Sequence, residues 1–550
     1  MTIRAFATSG LLAITSMLPL LAQPAAGPMA AAPDAAAPTK AAFDVADVHA
    51  SPPQRDLSSS PGVIYGDRYI AREVPMTEMI AAAYGIDPDD VQGGPNWVEF
   101  DRFDVVAKVP PATSKANLQL MLQALLTERF GLKVHTGTQP LPAYILTAVA
   151  SDSKLKKSDG KGDAACVWPP QPANQTPVFD WQNHMNCHNE TMGKFASDIR
   201  DWGAGYVDKT VVDNTGLAGA YDFDLTWTNR NMMVRAGSDG ISLFDAVTKE
   251  LGLKLTMGTA PQPVILIDSV NESPTPNAAD LEKRMPPLPP AQFEVAVITP
   301  FKPGEQLAQA NGSDRVNLEG TTLKNLIDFA WDLDSSDPEA IAGAPKWLDQ
   351  DRFDILGKLS TDDMAGGAPG LQGIPQDVLR QMLRGLIEDR FQMKDHIEDH
   401  PINVYHLVAA NPKMANGDPN RRATCANGPG PDGKDPRLTI PARNRLVTCQ
   451  NITMGQLAVL VRVFAGGYIH DAVYDDTGIK GTYSFTLSFS GINLIPGGAL
   501  SGDSQQSSDP NGAISLFDAM KTELGLKLEK EKHAAPVFVI DHIEEQPTAN

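Results

Sequence analysis

Apolar and polar residues follow two periodicities that alternate along the chain. Phe43 to Val48 alternates between apolar and polar residues, which predicts a strand, and Phe103 to Val109 predicts a second one. Between them the pattern predicts a helix, with Thr77 as its N-cap and Gly85 at its end. Because strands and helices alternate, the pattern predicts an α+β fold.

The next elements complete one unit and begin another. Leucines between Leu118 and Leu126 share one face of a helix, and 132–135 and 143–149 predict two strands joined by a turn at Gln139-Pro140. The same order then returns with a helix from Thr191, a strand over 221–227, a helix over 242–251, and strands at 253–256 and 264–270. We therefore predict two related helix–strand–helix–strand–strand units with mostly antiparallel sheets and helices on one face.

This whole region occurs twice in the chain. Ser242–Leu255 and Ser515–Leu528 share eleven of fourteen residues, and Gly93–Val105 recurs as Gly343–Ile355. The repeat and the composition of the stretches before and between its copies predict five segments. These are a signal peptide (1–22), an Ala/Pro-rich linker (23–41), domain copy one (42–273), a Pro-rich linker (274–290) and domain copy two (291–546). The prolines of the second linker predict a stiff, extended conformation.

The first residues and the charge of the chain indicate where it resides. Arg4 precedes a short apolar stretch from Leu11 to Ala22, which is typical of a signal peptide and is short for a membrane-spanning helix. We therefore expect an exported protein, periplasmic or extracellular, with no transmembrane segment in the mature chain. The net charge of −21 argues against a nucleic-acid partner, because phosphate binding uses clustered Lys and Arg.

The chain has four cysteines, which allow three pairings. Cys187 and Cys449 both precede an Asn-x-Thr-Met sequence, so they occupy equivalent positions in the two copies. The duplication therefore predicts the disulfides Cys166–Cys187 and Cys425–Cys449, which an oxidising compartment permits. The spacing is not that of a metal site, and no cofactor is predicted.

Four segments of copy one carry a resemblance to a known family. They are Gly93–Asp104, Met121–Phe130, Asp213–Phe223 and Leu251–Asp268. Through them the chain resembles the bacterial soil-associated protein family, a secreted domain of unknown function, and this resemblance implies no catalytic residues. Some relatives fuse the domain to a membrane metallopeptidase, but this chain has no His-Glu-x-x-His sequence. By element order alone, it is also similar to the short N-terminal domain of secretins and TonB-dependent receptors.

Several residues resemble active-site groups but have simpler interpretations. Asp476-Thr477-Gly478 matches an aspartic-protease triplet, yet copy one has Asn214 there, so a carboxylate pair is broken. Asp213 and Asp475 are expected to be turn residues. His184, Cys187 and His188 cluster in copy one, but copy two does not repeat the two histidines. This favours a disulfide at Cys187 over a metal site. His135 and His396 are expected to be surface residues that make hydrogen bonds.

Trp97 and Trp347 precede Asp101-Arg102 and Asp351-Arg352 in equivalent turns. Such an arginine could bind a carboxylate ligand, but we expect it to tie the turn to the sheet, with each tryptophan in the core. Asn189-Glu-Thr191 and Asn451-Ile-Thr453 have the form of glycosylation sequences, but Thr191 and Thr453 are interpreted as helix N-caps.

No constellation of catalytic residues occurs in both copies. We therefore expect a non-enzymatic binding or scaffolding module outside the cytoplasm, whose partner is an envelope or extracellular protein or a small ligand. Two alternatives remain open: a hydrolase with its site between the copies, and a regulatory partner of an envelope sensor.

Overall fold

The computed structural model describes residues 42–51, 59–111, 113–149, 154–168, 182–203, 205–236, 239–288, 291–302, 315–333, 339–359, 374–430, 435–440, 442–495 and 512–549. The predicted signal peptide and the linker 23–41 lie outside these residues. From Ala42 onward the chain folds into one compact unit. Among the described helices, none has the length and apolar character needed to cross a membrane.

Copy one contains strands and helices in alternation. Its strands are β1 (Ala46–Ala50), β2 (Ser60–Tyr65), β3 (Arg68–Pro75), β4 (Val91–Gly93), β5 (Arg102–Lys108), β6 (Lys133–Ala148), β7 (Lys156–Lys157), β8 (Ala165–Val167), β9 (Gln182–Thr191), β10 (Val211–Asp213), β11 (Ala220–Thr228) and β12 (Leu253–Ser269). Its helices are α1 (Met76–Tyr84), α2 (Lys115–Phe130), α3 (Met192–Trp202), α4 (Met233–Ala236) and α5 (Leu243–Leu251).

The helix ends of copy one follow from local sequence. The Ser114 hydroxyl accepts a hydrogen bond from Asn117 N (3.3 Å) at the start of α2, and Thr191 accepts one from Lys194 N (3.2 Å) at the start of α3. Helix α2 ends at Gly131, whose φ of 59° is the left-handed conformation that glycine adopts without strain. These caps fix both the length and the direction of the helices.

The strands of copy one form three sheets. The N-terminal sheet has the order β1-β5-β3-β2, the central sheet β10-β6-β12-β4, and the C-terminal sheet β7-β11-β9-β8. Pairing is antiparallel except where β4 joins β12 and β10 joins β6. One core packs the N-terminal sheet against α1 and α2, and another packs the C-terminal sheet against α3 and α5.

The predicted turn at Gln139-Pro140 is wrong, because β6 runs through it as a single strand. Pro140 lies opposite Pro261 of β12. Residues of an antiparallel pair alternate between hydrogen-bonded and non-hydrogen-bonded positions, and a proline has no N–H to donate. Pro140 and Pro261 therefore occupy a non-hydrogen-bonded position, and Pro142 and Pro263, two residues away, share that class. The two strand pairs predicted for copy one are thus one long ribbon.

Copy two repeats this architecture after a short linker helix, α6 (Leu281–Arg284). Its strands are β13 (Val295–Pro300), β14 (Arg315–Thr322), β15 (Ile341–Ala342), β16 (Arg352–Lys358), β17 (Lys394–Ala409), β18 (Ala415–Asn416), β19 (Thr424–Asn427), β20 (Arg445–Ile452), β21 (Val473–Asp475), β22 (Tyr483–Phe489) and β23 (Leu526–His542). Its helices are α7 (Leu323–Ala330), α8 (Gln376–Arg390), α9 (Met454–Phe464) and α10 (Leu516–Ala519), and α10 continues as a π-helical turn (Met520–Leu524).

The sheets of copy two have the orders β13-β16-β14, β15-β23-β17-β21 and β18-β22-β20-β19. The long ribbon recurs as β17 paired with β23. Pro536 lies opposite Asp399, two residues from Pro401, so both prolines occupy the same type of pairing position. The copies also share apolar contacts: Tyr65 and Ile70 of copy one belong to a core of copy two. The two copies therefore pack as neighbours in one body.

The linker after copy one is not a free extended spacer. Arg129 at the end of α2 is buried and donates hydrogen bonds to Thr275 O (2.6 Å), Asn277 Oδ1 (2.6 Å) and Val48 O (3.4 Å). The guanidinium has five donors, so burial requires several acceptors, and the linker backbone supplies them. In copy two, Arg390 likewise donates to Thr548 O (3.4 Å). The segment that follows each copy is thereby held against its first strand.

The two turn tryptophans differ in burial. Trp97 is 8% exposed and contacts Phe103 edge to face, with ring centroids 6.1 Å apart. Trp347 is only partly buried at the rim of its core. The turn therefore contributes more packing in copy one than in copy two.

Trp97→Ala is expected to lower the free energy of unfolding by about 3–5 kcal/mol, because it removes a large buried aromatic side chain. Trp347→Ala is expected to cost less, because part of that side chain already contacts water. Urea denaturation followed by circular dichroism measures both. Equal losses, or a larger loss at Trp347, would contradict this assignment.

Candidate functional site

A cleft of about 550 Å³ lies between the two copies. Copy one lines it with residues from the middle of the β6–β12 ribbon and with five charged side chains: Asp89, Asp90, Glu99, Arg102 and Lys209. Copy two lines it with residues 422–426 and Leu460. The cleft exists only because the copies are packed together, since each contributes part of its lining.

Arg422 holds the copies together at this cleft. Its Nε donates to Glu99 Oε2 (2.9 Å), and its guanidinium also donates to the backbone carbonyl of Val91. Phe100, next to Glu99, packs on the core of copy two, and Asn96 N donates to Pro419 O (3.2 Å). The turn that carries Trp97 therefore docks directly on the C-terminal part of copy two.

Acidic and basic groups alternate on the copy-one side of the cleft. Lys209 pairs with Asp89 at 2.7 Å, and Arg200 pairs with Asp87 at 2.6 Å. Partial burial raises the pKa of Asp90 above its ordinary value, and the negative charges of Asp87 and Asp89 raise it further. Within the described part of the chain, no hydrogen bond or ion pair joins the Asp90 carboxylate to another side chain. Asp90 therefore lines the cleft, and Arg200 only partly offsets the effect of the neighbouring acids on its pKa.

Two outer strands of separate sheets border the cleft. Strand β4 lines it with Gln92 and Gly93, and its described pairing is with β12 alone. Strand β19 lines it with Thr424, Cys425 and Ala426, and its described pairing is with β20 alone. An outer strand presents backbone donors and acceptors on its open side. In β4 the carbonyl of Val91 is already bonded to Arg422, so Gln92 and Gly93 are the part of that strand that lines the cleft.

The cysteines form two disulfides. Cys166 is bonded to Cys187 across β8 and β9, and Cys425 is bonded to Cys449 across β19 and β20. Each bridge joins residues that lie directly opposite each other in their strand pair. In both copies the disulfide therefore fastens the outer strand of the C-terminal sheet, and in copy two that strand borders the cleft.

The histidines of the sequence analysis do not come together as a metal site. His184 Nδ1 lies 3.2 Å from Thr226 Oγ1, whereas His188 Nδ1 lies 2.9 Å from Asp222 Oδ1. No group of three His, Cys, Asp or Glu with metal-binding geometry occurs in the described residues. His135 and His396 are exposed, and each contacts an aspartate of the neighbouring strand, at 2.8 Å and 2.9 Å.

The protease-like triplet lies on the surface of copy two. The Asp476 carboxylate contacts His406, and the preceding Asp475 accepts a hydrogen bond from Thr477 N (3.0 Å). Asp213 of copy one accepts the equivalent bond from Thr215 N (2.9 Å). These aspartates close local turns, and they are separate from the residues that line the cleft.

The arginines of the turns tie each turn to a neighbouring strand. Arg102 donates to Glu73 O (3.3 Å), and Arg352 donates to Gly320 O (2.6 Å). The preceding Asp101 shares a hydrogen bond with Glu272, and partial burial together with the Glu272 charge raises the pKa of Asp101 to about 6. This pair of carboxyl groups holds a proton where a lone aspartate would lose it.

The residues missed from the sequence are Asp90, Lys209 and Arg422. Each differs in the other copy, where the equivalent positions are Ala340, Asp471 and Asp163. A search for residues shared by both copies therefore passes over them. Only the packing of one copy on the other brings them to one cleft.

The Asp101–Glu272 pair predicts a pH dependence of stability. Between the ordinary pKa of 3.8 and the raised pKa of about 6, the native state binds a proton that the unfolded state releases. Stability from this pair is therefore present below pH 4 and is lost as the pH rises through about 6. Relative to the parent protein, Asp101→Asn is expected to gain up to about 3 kcal/mol between pH 4 and pH 7 in urea denaturation.

Glu272→Gln provides the matched comparison, since it removes the other carboxyl group of the pair. It is expected to reduce the same pH dependence. A stability difference between parent and Asp101→Asn that stays constant from pH 4 to pH 7 would show that Asp101 and Glu272 do not share a proton.

Comparison with known proteins gives a single family. The model of the family described as "Protein of unknown function (DUF3738)" matches residues 77–270 and 324–543. No curated protein and no solved structure matches the chain. Because the two matched regions cover most of the chain and fall on its two copies, the chain belongs to the DUF3738 family and carries the family's domain twice.

Proposed function

We propose that this protein is an exported, non-enzymatic binding module that holds an extended, basic peptide segment of a partner in the cleft between its copies. The signal-like residues 1–22 and the two disulfides support export, because disulfides persist in oxidising compartments. The partner is an envelope or extracellular protein.

The observation that carries this proposal is the pair of outer strands, β4 and β19, that border one cleft. An extended peptide binds such an edge by adding a strand, with backbone hydrogen bonds giving affinity and alternate side chains giving specificity. Arg422 and the Cys425–Cys449 bridge hold β19 in place next to copy one. The edge is therefore formed before a ligand arrives, which reduces the entropic cost of binding.

Charge favours a basic ligand. Asp90 lines the cleft beside the acids Asp87 and Asp89 of its own turn, whose effect on its pKa Arg200 only partly offsets. A lysine or arginine of the peptide that approached Asp90 would relieve this repulsion. The net charge of −21 draws basic partners toward the protein as a whole.

A peptide display library, selected on the purified mature protein, tests the proposal. Selected sequences are expected to favour β-branched residues and to contain Lys or Arg, and Asp90→Asn should weaken their binding about tenfold in fluorescence anisotropy. Asp163→Asn is the matched control. It removes an exposed acid that does not line the cleft, and binding should stay at the parental level.

Backbone methylation separates strand addition from other modes. In an added strand, alternate N–H groups face the protein, so N-methyl groups on one alternating set should abolish binding while the other set is tolerated. Equal tolerance of both sets, or binding that is unaffected by Asp90→Asn, would refute the proposal. Cleavage of the selected peptides would instead favour the hydrolase alternative.

A further inference from the structure

Each copy has a groove between the chain around its first strand and its second long helix. In copy one this groove is lined by residues 42–46 and by Leu125, Glu128 and Arg129 of α2. In copy two it is lined by residues 292–297 and by residues of α8 that include Leu386, Asp389 and Arg390. The repeat aligns these two sets position by position, so the two grooves are equivalent.

In copy one the groove is occupied by the chain's own linker. Thr275, Pro276, Ala278 and Arg284 form one wall, and the pocket that remains is about 250 Å³. Arg284 Nη2 contacts both the backbone carbonyl and the carboxylate of Asp44, the latter at 3.2 Å. The linker therefore binds this groove through small residues, a single helical turn and a basic side chain.

Among the described residues, no segment fills the equivalent groove of copy two. Its volume is about 540 Å³, and within the described chain its lining has no counterpart of Ala278 or Arg284. Thr548 and Ala549 match Thr275 and Pro276 and bind Arg390 as the linker binds Arg129, but they do not line this pocket. The part of the groove left open is the part that residues 278–285 cover in copy one.

The charged residues that line the open groove suit a segment with a basic residue like Arg284. Glu294 stands where copy one has Asp44, the partner of Arg284, and Asp389 adds a second acid at the rim. Glu294 is paired with Lys358 at 2.7 Å on an exposed surface, an interaction that an incoming arginine can replace at little cost. Val295, 56% exposed, offers an apolar contact beside it.

We infer that the open groove of copy two docks a partner segment with the chemistry of residues 278–285, which is two small residues, a short helical turn, and a basic residue followed by methionine. This site is separate from the cleft of the proposed function and does not depend on it. Copy one thus shows, within the same molecule, how such a segment is bound.

A labelled peptide of residues 278–288, titrated into the purified mature protein, tests the inference by fluorescence anisotropy. Saturable binding is expected, and Gly385→Trp in α8 should weaken it by at least about tenfold. A Cβ at Gly385 meets no atom within 4 Å, so the larger side chain fills the groove without straining the helix. Gly193→Trp is the control, because Gly193 lies on α3 in equally open surroundings.

A peptide in which Glu replaces the basic residue of position 284 should also bind more weakly, because Glu294 and Asp389 repel it. Binding that survives Gly385→Trp unchanged would place the peptide elsewhere, including on copy one in exchange for its own linker, and would overturn the inference. Absence of saturable binding up to about 1 mM would overturn it as well. Asp90→Asn leaves this binding unchanged, which separates the two proposals.

Discussion

The architecture depends on the long antiparallel ribbon that runs through each copy. Strand β6 belongs to the first half of copy one and β12 to the second, and they pair from Lys133–Ser269 to Ala148–Leu253. The central sheet is completed by exchange: β4 of the first half joins β12, and β10 of the second half joins β6. Neither half can finish the sheet alone, so the two helix-covered cores of a copy are expected to fold as one cooperative unit. The same ribbon fixes where β4 ends as an outer strand beside the cleft.

One contact between the copies has residues that the repeat does not reproduce at the equivalent positions. It joins Glu99 and Phe100 of copy one to Arg422 and the core of copy two. The equivalent turn of copy two has Asp349 and Gln350, and the equivalent of Arg422 in copy one is Asp163. A head-to-tail repeat would therefore set two acids against each other and place an amide where a phenyl ring packs. Such repulsion disfavours a head-to-tail repeat of this contact between molecules.

Local signals predicted the cap of α3 correctly, because Thr191 acts within one turn of chain. The predicted cap of α1 was wrong: Thr77 is buried inside the helix, and Pro75 is the N-cap. The disulfides followed from the repeat, since equivalent cysteines must have equivalent partners. The prolines of β6 were assigned to a turn because their own sequence does not distinguish a turn from a strand. Only the pairing of Pro140 with the distant Pro261 of β12 shows that they belong to a strand. The docked linker was missed for a similar reason, although Pro-Thr-x-Asn follows both copies at 274–277 and 547–550.

Duplication leaves two kinds of position in this protein. Positions that are the same in both copies, such as Arg129 and Arg390, are held by the fold, because in each copy the guanidinium donates to backbone carbonyls of the segment that follows that copy. Positions that differ, such as Asp90 and Arg422, lie where one copy meets the other, and there no second copy constrains them. The grooves show a third outcome: their lining residues are alike in the two copies, but among the described residues only the groove of copy one is filled by a linker segment.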